Sequence, residues 1–317
     1  MLRRMRTGDL WRLAAAIAGV HALMTVAPAA GTQDPQRPGA TFSSRADLVV
    51  LHVTVLDRKS GFVAGLPREA FTVYEDGRPQ KIAFFRNEDT PVTAGLVIDG
   101  STSMHRKRDA VIAAGLAFAQ SSHPDDQLFT IHFNERVWYG LPQGQPFTSD
   151  LEALRAALHR VTARGRTAFF DALALALEHV EGGQRQKKIL IVLSDGGDNA
   201  STRRFADVRE AVRRSDTVIY TIGMADQYSE GADPDVLKEL ARATGAEAYF
   251  PDDIGELTGM LQRIARDIRS GYTIGYVPSH PSKGFRAIKV DVASDRKLVV
   301  RARSGYVAKD GGSNGAR

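Results

Sequence analysis

The sequence predicts an α/β protein built on a doubly wound, mostly parallel sheet, with shorter β segments on both sides of it. Two observations predict this class. From residue 91 to residue 270, fully apolar strand segments alternate with helical periodicity, which is typical of a parallel sheet covered on both faces. Before and after this stretch the pattern is almost entirely that of β-strands.

The N-terminus has the layout of a secretory signal peptide. A basic "RRMR" precedes a mostly apolar stretch from Leu13 to Val26, and "APAA" then offers small residues for cleavage near Ala29. An uncleaved signal anchor is the alternative, although the apolar run is short for a membrane span. We expect residues 1–29 to be a signal peptide, and residues 30–44 to be a linker. The mature protein would then be periplasmic or extracellular, with no transmembrane segment.

Composition narrows the class of protein further. The chain has 317 residues, of which 43% are hydrophobic, enough for a packed core. It has no cysteine, which excludes disulfides, thiolate metal sites and cysteine nucleophiles. The formal net charge of +5 is concentrated in the N-terminus and forms no basic stripe, so we expect no nucleic-acid partner.

The two flanking segments are predicted to be β-structure. Residues 45–90 contain the strand "LVVLHVTVLD" and the hairpin "AFTVYEDGRPQKIAFF", whose turn is Asp76-Gly77. Residues 271–308 contain "YTIGYVP", "FRAIKVDVA" and "KLVVRARSGYVA". Neither segment has enough strands to be stable alone, so we expect them to pair in one β-sandwich-like module. Residues 309–317 are predicted to form a disordered tail.

Between these segments, strands and helices alternate in order. The strand "VTAGLVI" and the helix "RDAVIAAGLAFAQSS" are followed by two short strands that we expect to supply an antiparallel edge. The next helix has Ser149 or Asp150 as a natural N-cap. The remaining segments are the helix "AFFDALALALEHV", the strand "KKILIVLS", the helix "FADVREAVRRS", the strand "TVIYTIGM", the helix "PDVLKELARATG", the strand "EAYF" and the helix "IGELTGMLQRIARDI".

Three loops at the carboxyl edge of the predicted sheet carry oxygen-bearing side chains. The first loop contains Asp99, Ser101 and Ser103, the second contains Thr167, and the third contains Asp195 directly after a strand. Ligands bind at this edge of open α/β sheets, and hydroxyl and carboxylate oxygens suit Mg²⁺ or Mn²⁺. Each loop alone has a simpler explanation as a helix cap or a turn. The metal hypothesis rests on all three meeting at one edge.

The pattern "DGSTS", followed by Thr167 and Asp195, resembles the metal-ion-dependent adhesion site of von Willebrand factor A (VWA) domains. The resemblance covers about residues 91–270. It implies that the two serines and Thr167 contact the metal, while Asp99 and Asp195 contribute directly or through water. It also implies that the metal holds an Asp or Glu of a protein ligand. The flanking segments further resemble a subfamily of exported bacterial VWA-related proteins.

Two positions depart from the pattern of the family. Thr102 and Arg166 stand where many relatives have glycine, and neither change removes a ligand. Arg166 is expected to influence which ligands enter the site. The acidic segment 225–235 should lie near the same edge, where it would shape ligand choice, hold a second cation or form an ordinary solvated loop.

The sequence predicts a binding module rather than an enzyme. The second Asp of aspartyl-phosphate enzymes is replaced by Ser101, and there is no Walker A loop, His-Glu-x-x-His or Gly-x-Ser-x-Gly motif. His52 and His132 lie in apolar strand segments, where structural roles are expected. Two alternatives stay open: a structural envelope component with a vestigial site, and a Mg²⁺-dependent hydrolase.

Overall fold

The computed structural model describes most of the chain after the predicted linker, namely residues 48–57, 61–87, 89–225, 231–280 and 283–308. The predicted signal peptide, linker and C-terminal tail lie outside these residues, as does the centre of the acidic segment, residues 226–230. Within the described ranges, no helix is both long enough and apolar enough to cross a membrane.

Strands occupy both ends and the centre of the described chain. They are β1 (Val49–Asp57), β2 (Gly61–Phe62), β3 (Phe71–Glu75), β4 (Arg78–Gln80), β5 (Ile82–Arg86), β6 (Val92–Asp99), β7 (Gln127–Phe133), β8 (Val137–Tyr139), β9 (Lys187–Ser194), β10 (Val218–Gly223), β11 (Ala248–Tyr249), β12 (Tyr272–Tyr276), β13 (Gly284–Val292), β14 (Leu298–Arg301) and β15 (Gly305–Ala308). The α-helices are α1 (Arg108–Gln120), α2 (Leu151–Leu158), α3 (Phe169–Glu181), α4 (Phe205–Arg214), α5 (Pro234–Thr244) and α6 (Leu257–Ser270).

The central sheet has the strand order β11-β10-β9-β6-β7-β8. All of its neighbours are parallel except β8, which pairs antiparallel with β7 at one edge. The chain runs from β6 outward through β7 and later from β9 outward in the opposite direction. The boundary between β6 and β9 is therefore the point at which the strand order reverses.

Helices cover both faces of this sheet. Leu96 and Ile98 of β6 pack in one apolar core with residues of α1, α2 and α6. Val97, between them in sequence, points to the other face and packs with residues of α3, α4 and α5. Because every residue of β6 is buried, the strand has no solvent-facing side, and its centre, residues 94–98, is a continuous apolar run.

The flanking segments form two antiparallel sheets that share one core. One sheet has the order β14-β1-β12-β5, with β2 added to β1, and the other has the order β15-β13-β3-β4. Leu51 and Ile274 of the first sheet pack in the same cluster as Val73 and Val290 of the second. The predicted fold class, a mostly parallel sheet with N- and C-terminal β segments joined beside it, is confirmed. The domain boundaries stay predictions.

The hairpin turn also lies where the sequence placed it. Asp76 and Gly77 have φ values of 48° and 77°, the left-handed geometry of a two-residue turn, and Glu75 pairs with Arg78 on either side. The second arm of the predicted hairpin does not continue, however. It divides into β4, which stays with β3, and β5, which joins the other sheet beside β12.

A buried ion pair lies in the core of this β module. Glu75 Oε1 accepts a hydrogen bond from Arg286 Nη1 at 2.9 Å, and both residues are 5% exposed. Glu75 Oε2 accepts from the hydroxyls of Tyr276 at 2.5 Å and Tyr306 at 3.0 Å. Burial, together with the Glu75 carboxylate, raises the pKa of Tyr306 to about 12. The carboxylate thus joins a strand of the N-terminal segment to three strands of the C-terminal segment.

Candidate metal centre

The first loop begins at the reversal point of the sheet. Asp99 ends β6, and the neighbouring β9 ends at Ser194, with Ile98 paired to Leu193 just before both ends. Since adjacent parallel strands end at the same edge, the loops that carry Asp99 and Asp195 leave the sheet side by side. Asp99 is 1% exposed and Asp195 is 4% exposed.

Hydrogen bonds within the first loop turn its serines toward each other. Asp99 Oδ1 accepts from the backbone N–H of Ser101 at 2.8 Å, and Ser101 Oγ lies 3.1 Å from Ser103 Oγ. Ser101 precedes a 3₁₀ helix over Thr102–Lys107, yet its side chain makes no capping hydrogen bond. The simpler explanation, that this serine is a helix cap, therefore does not account for its hydroxyl.

A further hydrogen bond links the first loop to the third. Ser103 Oγ donates to Asp195 Oδ2 at 2.9 Å, across 92 positions of sequence. The other oxygen, Asp195 Oδ1, accepts from the backbone N–H of Gly197 at 3.0 Å. The structure thus brings Asp99, Ser101, Ser103 and Asp195 into one connected set.

Thr167 lines the cavity above this set but is held by different contacts. It is 7% exposed, and its backbone N–H donates to Asn199 Oδ1 at 2.8 Å, which holds it against the third loop. The N-cap position of α3 is Ala168, so Thr167 does not cap that helix. None of the hydrogen bonds found among the described residues joins Thr167 to the other four predicted ligands.

One member of the cluster, Ser194, was not predicted from the sequence. Ser194 Oγ donates to Asp99 Oδ2 at 2.7 Å and accepts from the backbone N–H of Gly196 at 3.1 Å. Its side chain is fully buried, with 0% exposed. The available signal was a hydroxyl residue at the end of an otherwise apolar strand, directly before Asp195.

The electrostatics of the cluster are those of carboxylates that lack a cationic partner. Burial raises the pKa of Asp99 to about 6; hydrogen bonds from Ser101 and Ser194 act against this shift, and the nearby Asp195 adds to it. Neither Asp99 nor Asp195 takes part in an ion pair with any residue that the structure describes. Ionised carboxylates at this depth are costly unless an opposite charge is close.

The donor set suits a hard divalent cation. It combines two carboxylates with three hydroxyls, all oxygen, which is the preference of Mg²⁺ and Mn²⁺. The described residues contain no group of three His, Cys, Asp or Glu side chains placed to hold a metal, so a site of the zinc type finds no support there. Among the described residues at this edge, the mixed hydroxyl and carboxylate set is the candidate for binding a cation.

A cavity of about 580 Å³ opens over this cluster. Ser101, Ser103, Thr167 and Asp195 line it, whereas Asp99 lies deeper and does not. The lining also includes basic residues of the first two loops, namely His105, Arg106, Arg164 and Arg166. Gly231, at the far end of the acidic segment, reaches the cavity as well, and Asp233 is the N-cap of α5.

The chain is similar to proteins of one family. Residues 95–197 match the von Willebrand factor type A domain family. Over 190 residues, 58% of this chain, it is 26% identical to the uncharacterized protein sll0103 of Synechocystis sp.. The chain spans 43% of the length of that relative.

Solved structures share the fold at low sequence identity. A von Willebrand factor type A protein from Catenulispora acidiphila covers 84% of this chain and 75% of its own, with a TM-score of 0.52 and 14% identity. The vWF domain of the type V pili tip protein Mfa5 from Porphyromonas gingivalis covers 57% of this chain and 95% of its own, with a TM-score of 0.48 and 14% identity. The match over residues 95–197 shows that the chain carries a von Willebrand factor type A domain.

Proposed function

We propose that this protein binds a partner protein through a Mg²⁺ or Mn²⁺ ion, and that the ion captures an Asp or Glu side chain of the partner. The proposed ligands are Asp99, Ser101, Ser103, Thr167 and Asp195. VWA domains are protein-interaction modules and are typically non-enzymatic. The observation that carries the proposal is the hydrogen-bonded set that joins two buried, unpaired carboxylates to two serines beneath an open cavity.

In the proposed site, the two carboxylates would supply negative charge, and other groups of the chain would orient them. Asp99 and Asp195 supply the negative charge, and the backbone N–H groups of Ser101 and Gly197 fix one oxygen of each carboxylate. Ser194 orients the second oxygen of Asp99. The serine and threonine hydroxyls are neutral, so a bound cation would keep enough positive charge to attract a carboxylate of the partner.

Metal binding is tested by thermal unfolding in the presence of MgCl₂ or MnCl₂. An ion at 100 times its dissociation constant stabilises the folded state by about 2.7 kcal/mol, which raises Tm by roughly 2–4 °C per kcal/mol for a chain of this size. We expect Asp99→Ala to abolish the rise and Thr167→Ala to reduce it. Asp125→Ala, an exposed carboxylate before β7, is the matched control and should keep it.

Ligand capture is tested by affinity purification from the source organism's envelope extract, with Mg²⁺ and again with chelator. At least one protein should be lost on chelation and lost equally with the Asp99→Ala bait. Recovery of the same proteins under both conditions would show that the partner is not held through a metal. An identical response of wild type and Asp99→Ala to both ions would leave the oxygens of "DGSTS" as purely structural groups.

The two alternatives lead to different results. A structural component with a vestigial site would show no Tm rise with either ion in any variant. A Mg²⁺-dependent hydrolase would turn over generic ester substrates, and that turnover would disappear with Asp99→Ala. The proposed site offers carboxylates and hydroxyls but no histidine other than the exposed His105 on the cavity lining.

Export is part of the proposal and rests on the N-terminal sequence. The basic, apolar and small-residue regions of residues 1–29 support a cleaved signal peptide. Mass spectrometry of the protein isolated from its source should find a new N-terminus near residue 30, in the envelope or culture fraction. An intact N-terminus retained in membranes would indicate a signal anchor.

A further inference from the structure

Exposed basic side chains line the mouth of the cavity above the proposed metal ligands. His105, Arg106, Arg164 and Arg166 line it and are all exposed. Among the described residues that line the cavity, two are acids, and their oxygens accept hydrogen bonds from neutral groups of this chain. Asp195 accepts from Ser103 and Gly197, and Asp198 Oδ1 accepts from Ser201 Oγ at 2.6 Å and from a backbone N–H of α3 at 3.3 Å. The exposed charged side chains at the mouth are therefore arginines, and with a divalent cation bound the charge presented to an incoming ligand would be positive.

The loop that carries Arg164 and Arg166 is hydrogen-bonded to the first loop, which contains Asp99, Ser101 and Ser103. Arg164 N–H donates to the carbonyl of Gly100 at 2.9 Å. The carbonyl of Gly165 accepts twice from Thr102, from its N–H at 3.2 Å and from its hydroxyl at 3.1 Å. These bonds explain Thr102 at a position where glycine is common in the family, because its hydroxyl ties the two loops together.

A second set of contacts holds the other side of the same loop. The backbone N–H of Arg166 donates to Glu135 Oε2 at 3.2 Å, and its guanidinium donates to the carbonyl of Asn199 at 3.4 Å. Gly165 has a φ of 86°, and a Cβ there would lie 1.7 Å from the Glu135 carboxylate. The backbone of Arg164 and Arg166 is thus held at a fixed place beside the proposed metal ligands, which reduces the entropy lost when the arginines bind.

We propose that the partner presents an acidic segment rather than an isolated carboxylate: one acid reaches the cation, and Arg164 and Arg166 bind acids adjacent to it. This inference rests on the proposed function and specifies its ligand. Guanidinium groups match carboxylates in a planar, two-bonded geometry, and two of them beside one metal-bound acid select a run of Asp or Glu. Complementary charge also accelerates the encounter with such a segment.

A nucleic acid is the other class of polyanion that a basic surface attracts, and the structure favours it less. The four basic side chains at the mouth converge on one cavity instead of forming a stripe, and Lys plus Arg exceed Asp plus Glu over the whole chain by only 42 to 37. A single-stranded oligonucleotide is therefore included below as a competing ligand.

The test measures the affinity of the purified protein for two labelled peptides in MgCl₂. Both have blocked termini and Gly-Ser flanks, and they differ in carrying one Glu or three consecutive Glu. Because any of its three Glu can reach the cation, the three-Glu peptide gains a factor of about three without the arginines; we expect the two exposed ion pairs to raise its advantage to about tenfold at low salt. Raising the salt to about 0.5 M should shrink this ratio.

Charge-matched variants locate the effect. Arg164→Gln combined with Arg166→Gln should bring the affinity ratio of the two peptides down to the factor of about three that remains without the two ion pairs. Arg263→Gln combined with Arg266→Gln removes the same charge from exposed positions of α6 that do not line the cavity, and should keep the ratio. Each single Arg→Gln variant should lower the ratio partway, which guards against a folding defect in the double variant.

Three results would overturn the inference. These are a wild-type affinity ratio no greater than about three, which ion pairs with the arginines should exceed, an unchanged ratio in the Arg164/Arg166 variant, and oligonucleotide binding as tight as peptide binding and insensitive to chelator. Failure of the proposed function is recognised separately, because the Tm rise with Mg²⁺ would then be missing from the wild type. A normal Tm rise without discrimination between the peptides would reject the acidic-segment ligand but would still support the metal site.

Discussion

Two clusters of buried carboxylates lie in this molecule, and they are built in opposite ways. In the β module, Glu75 contacts a guanidinium and two tyrosine hydroxyls. At the edge of the central sheet, Asp99 and Asp195 contact serine hydroxyls and backbone N–H groups but no cation of the described chain. Both clusters join distant parts of the sequence, but only in the first does the buried carboxylate form an ion pair with a basic side chain of the described residues.

The difference separates a structural role from a binding role. A buried charge that already has its counter-charge stabilises one arrangement of the chain and gains little from a ligand. Buried carboxylates with only neutral donors leave an electrostatic deficit that a cation would remove. The β module therefore explains how the two ends of the chain stay joined, and the sheet edge is where an added ion should change stability most.

Breaking the complete cluster should have the largest effect on stability. Glu75→Ala leaves the Arg286 charge and two tyrosine hydroxyls buried without their acceptor, and we expect a loss of about 3–5 kcal/mol in the free energy of unfolding, measured by denaturant titration. Asp291→Ala, which removes the half-exposed partner of Lys289 on the same strand β13, is the control and should change stability much less. Equal effects of the two variants would contradict the structural role of Glu75.

A buried histidine should make stability depend on pH. Burial, with a smaller contribution from Arg160, lowers the pKa of His132 from 6.5 to about 4. Since the unfolded state binds the proton more readily, this term stabilises the fold above pH 6.5 and is lost as pH falls toward 4. It should cost roughly 2 kcal/mol between pH 7 and pH 5, so His132→Asn should flatten the pH dependence of the unfolding free energy by that amount. The exposed His280→Asn should leave the slope as it is.

Two glycines with the same backbone geometry offer a matched test of the arginine loop. Gly165 and Gly144 both have a φ of 86°, but a Cβ at Gly144 meets no atom within 4 Å, whereas one at Gly165 meets the Glu135 carboxylate. Both Gly→Ala variants should lose about 1–2 kcal/mol of stability from the left-handed backbone. Only Gly165→Ala should also weaken Mg²⁺-dependent peptide binding, and equal binding by the two variants would show that the position of this loop is unimportant.

The smallest expected effect has the opposite sign from the first. Asp99→Asn, measured without metal at neutral pH, removes a buried charge that lacks a cationic partner and keeps the size of the side chain. We expect the free energy of unfolding to stay unchanged or to rise by up to about 1 kcal/mol. A loss comparable to that of Glu75→Ala would place Asp99 with the structural carboxylates and remove the contrast between the two clusters.

Local patterns in the sequence predicted much of this architecture. Continuous apolar runs such as residues 94–98 predict strands buried on both faces, and the structure covers β6 on both sides. The Asp76-Gly77 turn and the Asp150 N-cap follow from backbone preferences of short segments, so they needed no tertiary information. The grouping of Asp99 with Asp195 was also predictable, because parallel strands end at one edge.

The partner of each strand and the hydrogen bonds between distant loops could be learned only from the tertiary structure. The segment "KLVVRARSGYVA" has one continuous β pattern, but β14 and β15 join different sheets, because only distant partner strands determine where each edge is paired. Ser194 entered the candidate site through a bond to a residue 95 positions away. The hydrogen bonds between Arg164 and Gly100, and between Thr102 and Gly165, likewise join loops that meet only in the folded sheet. Sequence periodicity reports which side of an element is buried, and long-range hydrogen bonds are set by the packing that follows.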